Sequence, residues 1–74
     1  MLERFQKLQT FCRFSSERIA PYSGYNVETI RRFFKGDAAE EERIAITILF
    51  AMKRILKEAE EQIESLEKEM MNGK

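Results

Sequence analysis

Apolar residues recur along this chain at helical spacings of three and four, and no window alternates with the period of two that a strand requires. Leu2, Phe5, Leu8 and Cys12 share one face of a first helix over about 2–13, while Arg4, Lys7 and Arg13 fall largely elsewhere. Ser15 or Ser16 is suited to cap the next helix, with Glu17 in its first turn to complement the dipole. Gly24 can supply the positive φ that closes that helix, and Asn26 can cap a short third helix over Val27–Lys35, with Gly36 after its end. Asp37, with Glu40 three residues on, then reads as a capping box that opens the last helix.

From Ala38 to about Met71 nothing breaks a helix, and at ~1.5 Å per residue it would run roughly 50 Å. Ala45, Leu49, Met52, Leu56, Ala59, Ile63, Leu66 and Met70 alternate by four and three as the d and a positions of a heptad. Ile44, Ile48 and Ile55 widen that stripe in the first half, as packing on a helical head requires. The second half narrows to a seam, so Leu49, Met52, Leu56, Ala59, Ile63, Leu66 and Met70 are assigned to self-association. Two of the d positions are alanine, and the flanking Glu60, Gln62, Glu67 and Glu69 offer identical parallel strands little attraction. Oligomer order and strand direction stay open, and a basic protein partner for the tail is an alternative.

The expected fold is therefore all-α. A three-helix head spans 1–37, a long helix spans 38–71 with its first half on the head, and a disordered tail covers 72–74. So small a core is marginal when buried alone, which itself favours association.

Charge changes this picture. Thirteen basic and thirteen acidic side chains cancel overall, which argues against nucleic acid only if they are evenly spread. Residues 1–35 carry +4, residues 36–57 balance, and residues 58–74 carry −4. The chain has no His, which removes the commonest general base and zinc ligand, and a lone Cys12 forms no internal disulfide. Cys12, among Phe11 and Phe14, reads as a buried core thiol. No enzyme activity, metal or cofactor is expected, no stretch is apolar enough to span a bilayer, and a cytoplasmic setting fits.

The segment Ser16–Lys35, SERIAPYSGYNVETIRRFFK, resembles the helix-turn-helix of bacterial repressors, most closely that of the lac repressor family. Ala20 is small where two helices would cross, Gly24 makes the turn four residues on, and Ile19, Ile30 and Phe33 form the apolar set between them. Thr29 and Arg32 add to the match, which covers about twenty residues. Outside this window a preceding helix and a long following one look more like the lambda-repressor-like or tetracycline-repressor-like arrangement. Pro21, midway through the first motif helix, departs from the pattern and implies a helix that is short, kinked or late to start.

The resemblance implies a homo-oligomeric transcriptional regulator that binds double-stranded DNA, with the second motif helix in the major groove. By position it assigns base reading to Val27, Glu28 and Arg32, with Arg32 suited to guanine and Glu28 to cytosine. It assigns backbone contacts to Ser16, Asn26, Thr29 and Arg31, and charge adds Arg13, Arg18 and Lys35 as phosphate neutralisers. The plainer alternative makes Arg31, Arg32 and Lys35 a solvated face, with Glu28 paired to Arg32 at i, i+4. Tyr22, Tyr25, Phe33 and Phe34 could also stack single-stranded bases, although within this motif they fit core and turn packing better. A protein-interaction adaptor of the same shape is the rival function.

Overall fold

The computed structural model describes residues 1–72 and is all-helical there: α1 Leu2–Cys12, α2 Ser16–Ser23, α3 Val27–Lys35 and α4 Glu41–Asn72. Of the expected disordered tail, Asn72 is the last residue of α4, and Gly73 and Lys74 lie outside the described residues.

Local chemistry sets most of the boundaries. α1 stops without a glycine: Arg13 takes the left-handed conformation (φ 57°), and the Phe14 N–H donates to the Gln9 carbonyl at 2.9 Å. Phe14 is itself fully buried, so an apolar anchor accompanies this C-terminal hydrogen bond. Ser15 caps α2, its Oγ accepting from the Arg18 N–H at 3.1 Å. Pro21 lies inside α2, which nonetheless continues to Ser23 and is short, at eight residues. Asn26 caps α3 through Oδ1, which accepts from the Thr29 N–H at 2.8 Å.

The expected capping box at Asp37 and Glu40 does not form, and α4 begins at Glu41. The Asp37 N–H is already engaged, donating to the Arg32 carbonyl at 2.9 Å behind the left-handed Gly36. Asp37 therefore finishes α3 and cannot open α4. The chain reverses through Glu40 (φ 52°), whose carbonyl accepts from the Ile44 N–H and whose carboxylate faces Arg43 at 3.3 Å.

α4 supplies the surface on which the head is built. Ile44, Ile48, Ala51 and Ile55 recur on one buried stripe, against which α2 packs most extensively and α3 more narrowly. Phe14, Ile19, Ile30, Phe33 and Ile48 are the largest fully enclosed side chains. Phe33 is central: the Phe5 and Phe34 rings meet it edge-on, with centroids at 5.0 and 5.3 Å. α1 reaches the core mainly through Phe5 and packs on α3 rather than on α4.

Three expectations about apolar positions need correction. Met52, given to the seam by its heptad position, is 3% exposed and belongs to the core of the head, because α2 and α3 cover the stripe that far along α4. Cys12 is half-buried at the core's edge rather than enclosed, and its neighbour Phe11 points outward, 87% exposed. Leu8 is largely exposed, since no part of α4 closes over that end of the α1 face.

One polar latch marks where the head ends. The Tyr22 hydroxyl donates to the Glu58 carboxylate at 2.6 Å, and the Arg54 guanidinium lies 5.5 Å from the centre of the Tyr22 ring. Beyond Glu58, α4 has no buried residue and projects alone, which gives the protein its 53 × 22 × 16 Å extents.

Removing the central ring in Phe33→Ala should cost about 3–5 kcal/mol of unfolding free energy in denaturant titration. A loss under about 1 kcal/mol would mean that the aromatic cluster is not the core's keystone. The hydrogen bond to Glu58, and secondarily burial and the charge of that carboxylate, raise the Tyr22 pKa above its ordinary value of 10.0. Folding then favours the protonated phenol, so this contribution is complete below pH 10 and is lost as pH rises through the folded-state value. Tyr22→Phe should flatten the fall in thermal stability above about pH 10. An unchanged alkaline slope would exclude Tyr22 as its source.

Candidate nucleic-acid interface

α2 and α3 are joined by the three residues Gly24, Tyr25 and Asn26, and hydrogen bonds fix that joint. Gly24 sits at φ 81°, a conformation that costs a side-chain-bearing residue strain, and its N–H donates to the Ala20 carbonyl at 3.3 Å. The Ser23 hydroxyl donates to the same carbonyl and accepts from the Tyr25 N–H, both at 3.1 Å. Ile19 from α2 and Ile30 and Phe33 from α3 are fully buried, and Ala20 is half-buried beside them. Gly24 thus closes α2, and Ile19, Ile30 and Phe33 lie together in the core.

Because α3 buries Ile30, Phe33 and Phe34, its opposite face is fixed outward. Glu28, Arg31, Arg32 and Lys35 follow one another there at i, i+3, i+4 and i+7, all exposed, with Val27 half-buried at the N-terminal end. Of the three residues assigned to base reading, Glu28 and Arg32 therefore share an open surface and Val27 borders it. Arg31 and Lys35 join the same surface. Thr29 is half-buried and lines a shallow depression with Tyr25, Arg32 and the Ala38–Glu40 connection.

The remaining assignments divide. Asn26 is exposed, but its side chain is engaged in capping α3. Ser16 is 8% exposed and lies inside the fold, so it has no free route to a phosphate, and of the two serines suited to cap α2 it is the exposed Ser15 that does so. Arg18 is exposed and lays its guanidinium 5.3 Å from the centre of the Phe14 ring. Arg13 is exposed at the left-handed end of α1. Of the aromatic residues, Phe33 and Phe34 are buried and Tyr22 and Tyr25 half-buried against the core, which leaves no open stacking platform among the four.

Three of the four charges on α3 are paired. Arg31 pairs with Glu17 of α2 at 2.5 Å and approaches Glu28 at 3.9 Å, and Arg32 lies 3.7 Å from Glu28. All these groups are well exposed, so each pair contributes at most about 1 kcal/mol and opens readily for a stronger anion. Among the described residues, Arg13, Arg18 and Lys35 have no carboxylate within salt-bridge distance. The Glu28–Arg32 pair was visible as an i, i+4 spacing. Glu17–Arg31 was not, since it spans fourteen residues between two helices and leaves no local pattern.

Searches with the chain find no matching family model, curated protein or solved structure.

Proposed function

We propose that this chain binds double-stranded DNA as a small homo-oligomeric transcriptional regulator, with α3 entering the major groove. The observation that carries this reading is the α3 surface itself. A nine-residue helix, held by a capped three-residue turn and three buried side chains, turns Glu28, Arg31, Arg32 and Lys35 outward together. A short helix fixed on a rigid support is what groove insertion needs, and an arginine near base edges can bond guanine at O6 and N7. Arg31, Lys35, Arg18 and Arg13 then serve the phosphates. DNA replaces Glu17 and Glu28 as partner of the arginines, a phosphate for Arg31 and a base edge for Arg32, an exchange that makes the net gain modest. One head offers little surface, so two heads working together raise affinity and impose a two-fold-symmetric site.

The carboxylates on this same face also support a second reading, a protein-interaction adaptor that keeps the helix-turn-helix shape. The two readings separate in a salt titration with random-sequence duplex. About four phosphate contacts per head imply a log–log slope of roughly −3 to −4 per head bound. Undetectable binding at low salt would leave the adaptor. For a duplex selected from a random library, Arg32→Ala should lose at least tenfold more affinity than it loses for random DNA, while Arg31→Ala should weaken both alike. Equal losses for the two variants would remove Arg32 from base reading. Glu28→Gln releases both arginines and removes a negative charge near the phosphates, so random-duplex affinity should rise severalfold. A fall would mean that Glu28 holds α3 in its working shape.

A further inference from the structure

The molecule carries two unpartnered apolar surfaces on one helix. The first is a groove of about 610 Å³ between α1 and α4, where Met1 and Leu8 face Ala45, Ile46 and Leu49. It stays open because α1 packs on α3 and does not close on α4. A shallower depression continues it past Leu8 to Lys7 and Phe11. The second surface is the projecting half of α4, where Leu56, Ile63, Leu66 and Met70 stand exposed in one stripe. Leu49 and Leu56 link the two along α4, while Met52 between them is taken into the head's core.

We infer that the groove of each copy receives the acidic C-terminal half of α4 from a second copy, two chains lying antiparallel with each tail on the other's head. Charge decides the direction. Between residues 58 and 72 the tail has Glu58, Glu60, Glu61, Glu64, Glu67 and Glu69 against Lys68 alone. The groove has Arg4 on its α1 side and Glu42 on its α4 side, and Lys7 lines the depression that continues it, so the basic charge along this path lies on α1. Parallel pairing sets one glutamate-rich tail beside another, while antiparallel pairing sets it against the +4 head.

Length and side-chain size agree. The seventeen residues from Leu56 to Asn72, laid antiparallel about a centre between Lys57 and Glu58, overlie 43–59 of the other chain, of which Ala45, Ile46 and Leu49 line the groove. In that register Leu66 meets Leu49, Met70 covers the small Ala45 on the groove floor, and Leu56 meets Ala59. Lys53 and Glu60 then fall on the same flank of the seam. The alanines that weaken a parallel seam become the spaces into which larger residues fit.

This arrangement shares with the DNA-binding proposal only its self-association, and it is tested with full-length protein and no DNA, so either can fail alone. Sedimentation should give a dimer. In a Cys12→Ser background, Asn72→Cys carrying a spin label should show a label–label separation of roughly 40 Å, from ~1.5 Å of rise per residue about that centre. Parallel helices, 8–10 Å apart, would hold the same labels within roughly 25 Å. Arg4→Glu with Lys7→Glu should weaken dimerisation at least tenfold, and adding Glu64→Lys with Glu67→Lys should restore most of it. All four positions are exposed, so unchanged helicity in circular dichroism serves as the folding control. A monomer at every concentration, the short separation, or a charge reversal without rescue would each overturn the proposal. A monomer whose tail binds some other basic protein would overturn it too.

Discussion

Helices of eleven, eight and nine residues do not hold themselves together in water, since helices under about a dozen residues depend on tertiary packing. In this protein that packing comes from the stripe Ile44, Ile48, Ala51 and Ile55 on α4, and from Phe33, which is lowered onto it with Phe5 and Phe34 around its ring. The outward face of α3 is a consequence of that burial. With Ile30, Phe33 and Phe34 turned inward, helical geometry leaves Glu28, Arg31, Arg32 and Lys35 outside. α1 is the least tied of the four helices. It reaches the others through Phe5 and through Leu2, whose Cδ2 would lie only 3.1 Å from a Cβ placed on Gly36. A side chain at Gly36 would require Leu2 to give way by a few tenths of an ångström, and the φ of 80° there would strain it in any case.

What could be read from the sequence follows from how local the causes are. The bounds of α3 were legible because a cap (Asn26) and a terminating glycine (Gly36) bracket a nine-residue amphipathic run. The inward residues of α4 were legible because Ile44, Ile48 and Ile55 depart from the heptad on one side. The start of α4 was not. Asp37 and Glu40 carry the composition of a capping box, but a competing local bond, from the Asp37 N–H to the Arg32 carbonyl at the close of α3, takes that residue first. Met52 failed for a related reason: heptad position records periodicity and is blind to how far along α4 the head extends. Ser16 and Ser15 are chemically equivalent, and only the αL turn at Arg13 decides which of them begins α2.

The α3 surface combines features that pull against each other. Its arginines are oriented by a rigid support, yet Glu17 and Glu28 hold them in exposed pairs. Such pairs limit attraction to any polyanion and also favour the ligand that offers something in exchange. A base edge or a correctly placed phosphate can outbid a solvated carboxylate, whereas a diffuse negative surface cannot do so easily. Self-neutralisation of this kind raises selectivity at the cost of strength.

The separation of charge along α4 has an effect at distances beyond any contact. The helix begins in the basic head and ends among glutamates, so its backbone macrodipole, positive at the N-terminus, points the same way as the side-chain charges. The two add. A particle 53 Å long with no net charge is thus a permanent electric dipole: the field of a polyanion turns it, and only the gradient of that field pulls it. Such a molecule arrives already turned, head foremost. Pairing two copies head to tail sets their dipoles in opposition, so association would abolish that turning couple along the long axis.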